Sequence, residues 1–204
     1  MILYLTIIFI AVIINCCFNI IFPVASYGGY AIWIFAVMIL AVIIEIAIDA
    51  VIATVIHALP NKWFDIGNRF YEVGKKERVF YDRLKIKTWK DKVLELGSLN
   101  GFSKSKVKDP NDPNYIKMFI IECNKGVLIH LVIMFAGFLI LLFPTPKYFL
   151  RIGLTVAVVN LFLNLLPTMV LRYNTPKLKI AYQRAVKNNE REIKISRENK
   201  NESN

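Results

Sequence analysis

The sequence predicts an all-α integral membrane protein with four transmembrane helices and a basic cytoplasmic loop between the second and third. Two observations predict it. Hydrophobic residues make up 56% of the 204 positions and gather in blocks instead of alternating with polar ones. Basic residues gather where the blocks end: fourteen of the 26 lie between Pro60 and Lys117, and nine more follow Leu171. A helix rising about 1.5 Å per residue needs about 20 apolar residues to cross hydrocarbon about 30 Å thick. Stretches 2–22, 30–59, 118–143 and 148–171 meet that length within a single membrane domain, 1–204.

The first block, Ile2 to Phe22, lacks the basic start and the small-residue cleavage site of a signal peptide and is longer than its apolar region, so a retained helix is expected. The connectors Pro23–Gly29 and Pro144–Lys147 carry a single lysine between them. Positive charge stays on the cytoplasmic side, so both termini, the loop 60–117 and the basic tail 172–204 are expected in the cytoplasm of a multi-pass cell-membrane protein.

The loop is broken by Gly97, by Asn100-Gly101 and by Asp109-Pro110-Asn111-Asp112-Pro113, which leaves little for an independent core. Its first half, from Trp63 to Trp89, mixes aromatic with basic residues as interfacial segments do, and Ser98 to Asn114 reads as loop. Ala181, Tyr182 and Ala185 are spaced to extend the fourth helix briefly. From Asn188 onward the chain is charged, poor in apolar residues and expected to be disordered.

Some function classes are set aside at this point. The formal charge of +11 flanks membrane spans and is mixed with Asp and Glu, so anionic lipid accounts for it without nucleic acid. Cys16, Cys17 and Cys123 have no metal-ligand spacing and read as packing residues. No GxGxxG or P-loop is present to cradle phosphates in the manner of an NTPase.

Ionisable groups inside the spans point to a site, because each costs several kcal/mol in lipid without a partner or a task. Glu122 and Arg172 fall near the cytoplasmic ends of the third and fourth helices, with His130 and Asn164 each eight residues further in. Eight residues of helix are about 12 Å, so Glu122 and His130 cannot be a directly bonded dyad. Asp49, eight residues from His57, reaches the same depth, and a polar layer of Asp49, His130 and Asn164 is expected. Glu45 and Asp49 share a helix face, and at least one is expected to be protonated or paired. Simpler roles stay open: interhelical hydrogen bonding for His130 and Asn164, ion coupling for Glu45 and Asp49, and an interfacial salt bridge between Glu122 and Arg172.

Four pieces occur in order: Leu59-Pro60-Asn61-Lys62-Trp63-Phe64, Lys87-Thr88-Trp89-Lys90-Asp91, Glu122 with His130 eight residues on, and Arg172-Tyr173-Asn174-Thr175-Pro176-Lys177-Leu178. Together they resemble the glycosyl-4,4'-diaponeurosporenoate acyltransferase family, the carotenoid glycoside acyltransferases of staphyloxanthin biosynthesis. The likeness covers about Leu59 to Leu178 and leaves out the first helix and the Glu45/Asp49 pair. Asn164-Leu165-Leu166-Pro167 departs from the family's Asn-x-Pro by one place, and Cys123 stands where a Thr is common.

The resemblance implies transfer of a fatty acyl group to a hydroxyl of a glycosylated carotenoid or related glycolipid. Such a transfer needs a base for the hydroxyl proton and donors for the oxyanion. His130 is the best base available, Asn164 is an oxyanion donor or acceptor-orienting group, and Glu122 relays or orients a proton. Lys90, Lys125 and Arg172 would meet the phosphates of an acyl donor, acyl-CoA or acyl carrier protein, and Trp89 would anchor at the interface or stack on a ring. Asp91, Tyr173 and Asn174 join them as substrate-binding residues. No metal or redox cofactor is required; the partners are the bilayer, the donor and a lipid-soluble acceptor. Two other classes remain open: a membrane methyltransferase, and a small transporter or assembly subunit using Glu45 and Asp49.

Overall fold

A computed structural model describes residues 2–21, 31–93, 108–142 and 147–202. Every regular element among them is helical. The order is α1 (Ile2–Ile21), α2 (Ala31–Ala58), 3-10 turns at Asn61–Phe64 and Arg69–Tyr71, α3 (Lys75–Arg83), α4 (Ile86–Trp89), a further turn at Lys90–Lys92, α5 (Pro113–Ala136) running into a 3-10 segment at Gly137–Leu142, and α6 (Lys147–Glu202). The hairpin Pro23–Gly29, the Gly97 and Asn100-Gly101 breaks and most of the connector at Pro144 lie outside the described residues.

Three helical stretches are long and apolar enough to cross a membrane: Phe35–Ala58, Pro113–Leu142 and a window within Ile152–Asn201. The searched part of α1 is a shorter apolar stretch, Thr6–Asn15. On α2, Phe35, Leu40, Ile43, Ile46, Val51 and Val55 are all exposed. Apolar side chains in such number toward the surroundings suit lipid and not water, and they make this a membrane protein.

The chain divides into two compact units, one of Met1–Ala58 and Leu128–Thr168, the other of Leu59–Val127 and Met169–Asn204. In the first, α1 packs on α2 and α2 on the Gly137–Leu142 segment. Its core is Met38, Ala41, Ile140, Ile152 and Ala157.

Among the described residues, the second unit shows two clusters of buried side chains. Val73, Tyr81, Ile86 and Val170 form one, with Trp89 and Tyr173 packed against it. Ile116, Ile120 and Ala185 form the other, joined by Leu178, Ala181 and Tyr182. The part of the 60–117 loop that is described is therefore folded into helical turns around buried residues.

Two helix ends differ from expectation. α5 begins at Pro113, not near Met118: Asp112 Oδ1 accepts from the Asn114 amide at 2.9 Å, and a proline at the first helical position gives up only an N–H that has no intrahelical partner. Asp109 builds the turn before it, accepting from Asn111 N and Asp112 N at 3.2 Å each.

α6 is the second correction. It does not end soon after Leu178 but runs to Glu202, through the segment expected to be disordered. Lys, Arg and Glu are good helix formers, and Lys194 and Glu198 pair one turn apart at 3.9 Å. Composition excludes a buried face there without excluding a solvated helix.

Candidate active site

The first unit holds a chain of amides between two carboxylates and a histidine. Asn160, Asn164 and Thr168 recur every fourth residue on α6 and all three are buried. The Thr168 hydroxyl donates to the Asn164 carbonyl at 2.9 Å, a local bond that needs no other partner. Asn164 Nδ2 donates to the Asn160 backbone carbonyl at 3.0 Å and to Asn160 Oδ1 at 2.6 Å. Asn160 Nδ2 in turn donates to Glu45 Oε1 at 2.5 Å and reaches Asp49 Oδ1 at 3.5 Å.

At the other end, Asn164 Oδ1 lies 2.8 Å from His130 Nδ1. A backbone carbonyl can only accept, so the Asn164 atom facing Asn160 O is its nitrogen and the atom facing His130 is its oxygen. An oxygen there requires a proton on Nδ1, and the neutral ring then keeps its lone pair on Nε2. The chain has one polarity: each donor points toward Glu45.

Glycine leaves room for this chain where it meets the end of α5. A Cβ on Gly137 would stand 2.7 Å from Asn160 Nδ2 and closer still to Glu45 Oε1. The close approach is possible only without a side chain.

The second unit carries the remaining polar residues. Arg172 donates Nε to Glu77 Oε1 at 2.5 Å and Nη2 to Glu77 Oε2 at 2.9 Å, a bidentate pair. It also reaches the carbonyls of Phe70 at 3.3 Å and Glu72 at 3.2 Å. The hydrogen bond from Arg172 holds the Glu77 carboxyl below the usual glutamate range against the opposing effect of burial, and one from the Tyr81 hydroxyl at 2.5 Å assists. Burial and the Glu77 carboxylate push the Tyr81 phenol well above its ordinary range.

Glu122 pairs with Lys125 at 3.0 Å, one turn along α5. Lys125 is buried and sits 5.9 Å from the centre of the Phe64 ring, and Asn124 beside it donates to the Phe64 carbonyl at 2.9 Å. Trp89 is tied by its indole N–H to the Leu84 carbonyl at 3.0 Å, across a turn in which Lys85 takes the left-handed backbone conformation at φ 52°. Lys90 bonds Asp91 at 3.0 Å, and Lys177 lies 4.4 Å above the Tyr173 ring.

A model of glycosyl-4,4'-diaponeurosporenoate acyltransferases matches residues 60–184. The chain belongs to that family. Membership makes it an acyltransferase, and the resemblance noted in the sequence is thereby shown. No curated relative and no solved structure matches the chain.

Within the acyltransferase, the expected layer of Asp49, His130 and Asn164 does assemble, with Asn160 as the member that completes it. Glu45 and Asp49 lie outside the segment that carries the family match. Of the roles left open, the salt bridge between Glu122 and Arg172 is not formed: Arg172 bonds Glu77, and Glu122 pairs with Lys125. Asn164 Nδ2 donates to both the backbone and the side-chain oxygen of Asn160, while its Oδ1 faces His130.

Three contributors went unread in the sequence. Asn160 could have been found, because it stands one turn before Asn164 in an otherwise apolar run. Gly137 and Glu77 carry no local signal of their partners.

Proposed function

We propose that this acyltransferase works in the cell membrane, with four spans and both termini cytoplasmic, and moves a fatty acyl group onto a sugar hydroxyl of a glycosylated carotenoid or similar isoprenoid. The observation that carries the reading is the family match together with an imidazole whose tautomer suits a base. His130 Nε2 takes the proton of the acceptor hydroxyl as its oxygen attacks the thioester carbonyl carbon. The tetrahedral intermediate collapses with cleavage of the C–S bond, and the imidazolium returns its proton to the leaving thiolate. An ester and a free thiol result, and the histidine is restored.

Asn164 is a positioning residue in this scheme: it holds the ring and fixes Nδ1–H. The phosphates of the donor, acyl-CoA or acyl carrier protein, call for cations. Lys90 is the better cation for them, since Arg172 gives four hydrogen bonds to Glu77 and to the Phe70 and Glu72 carbonyls and Lys125 is buried. Trp89, Asp91, Tyr173 and Asn174 join Lys90 in binding substrate, and Glu122 holds Lys125 in place. Both the acyl chain and the acceptor are lipid-soluble, so a site reached from the bilayer suits them.

The test is the lipid extract of cells expressing the chain and supplied with a carotenoid glucoside, compared by mass spectrometry with empty-vector cells. A species heavier by one fatty acyl group in expressing cells alone is the expected result. An unmodified glucoside in both would remove the proposed acceptor.

A further inference from the structure

We propose that Glu45 is a positioning residue for His130, acting through the side chains of Asn160 and Asn164. The inference rests on His130 as the base, and goes beyond it in extending the site to a helix outside the matched segment. Glu45 is buried on α2, in a part of the helix with no other carboxylate than Asp49 one turn away. Its Oε1 accepts the Asn160 amide hydrogen at 2.5 Å, which turns Asn160 Oδ1 toward Asn164 Nδ2 at 2.6 Å. If Asn160 turned over, two NH2 groups would face one another, and Asn164 would have to rotate away from His130. The oxygen on Glu45 makes that arrangement unfavourable.

Only one atom of the carboxyl is used. Oε2 is buried and has no hydrogen-bond partner among the described residues. What the chain asks of position 45 is an accepting oxygen in a fixed place, not a charge. Gly137 supports the same geometry, since a methyl group there would press on Glu45 Oε1 and Asn160 Nδ2 together. A helix outside the matched segment thus reinforces, through the Asn160 side chain, the Asn164 orientation that the Asn160 backbone carbonyl favours.

The experiment compares the full chain with Glu45→Leu, Glu45→Gln and His130→Gln, in detergent micelles, with a long-chain acyl-CoA and a carotenoid glucoside. The chain has two histidines, so 15N-histidine NMR, assigned with His57→Gln, reads the His130 tautomer directly. Glu45→Leu is expected to mix the tautomers and to lower kcat about 10- to 100-fold, as loss of a histidine's outer partner does elsewhere. KM should stay within about twofold, because no substrate contact is removed. Glu45→Gln is expected to restore the Nδ1–H form and most of kcat.

A single tautomer with undiminished kcat in Glu45→Leu would overturn the proposal, as would a Glu45→Gln variant no better than Glu45→Leu. If Glu45→Leu does not accumulate, Gly137→Ala replaces it, with all polar groups kept and the same mixing of tautomers expected; an unchanged tautomer there also overturns the proposal. His130→Gln separates the two levels: full activity in that variant removes the base itself, whatever Glu45 does.

Discussion

Asn164 Oδ1 accepts the hydrogen of His130 Nδ1 at 2.8 Å, while its own NH2 group is held by the backbone and side chain of Asn160. The direction of that bond is imposed by an acceptor that cannot be reversed. Replacing Asn164 with Leu removes both the orienting oxygen and the donors. Turnover is expected to fall about 100-fold, within the range that a positioned base contributes. Asn164→Asp keeps the oxygen, loses the donors, and should fall between Leu and wild type when initial rates of ester formation are compared at equal protein.

Gly137→Ala tests the close approach at the end of α5. Room for a methyl group is absent there, and overpacking of this kind costs about 1–3 kcal/mol. Thermal unfolding in detergent should shift downward, whereas Gly74→Ala, where nothing stands within 4 Å, should shift little.

Arg172 and Glu77 hold together segments 95 residues apart. Both side chains are mostly buried, at 16% and 27% exposure, so removing either is expected to cost about 2 kcal/mol. Arg172→Lys should recover little of it, because a lysine offers no planar fork for the carboxylate and the two carbonyls. Chemical denaturation of the two variants and their double mutant measures the coupling directly.

The same pair gives a pH dependence. Glu77 is held below its ordinary value of 4.5 in the folded chain, so its contribution is fully present above that value and is lost as the pH falls through the lowered one. Wild type should therefore lose stability in acid more steeply than Glu77→Gln. Parallel curves for the two would contradict the assignment.

The tail offers a negative control. Ala185 is the last residue of α6 in a core, and every described position from 187 onward is exposed. Ending the chain after Glu190 should change stability by no more than about 0.5 kcal/mol. A larger loss, measured by thermal unfolding, would mean that the helix end has a partner.

The apolar blocks that became α2, α5 and the first part of α6 were legible because lipid demands length and hydrophobicity alone. Depth counting also reached Asp49, His130 and Asn164, since a helix converts residue number into height. It could not say which side chains face one another, and so it missed Asn160 as the link. Depth left a salt bridge between Arg172 and Glu122 open, although the guanidinium on its long stem reaches Glu77 on α3, a short helix that the count along the spans does not locate. The charged end of α6 was read from its lack of an apolar face, which decides burial but not backbone conformation.

The central claim is that His130 is the base. Its most direct measurement is the steady-state rate of ester formation by His130→Gln and wild type, in the same membranes, with saturating acyl-CoA and carotenoid glucoside. The account predicts a kcat lower by about 100-fold or more, with protein level and thermal stability close to wild type. A variant that forms ester at the wild-type rate would contradict it.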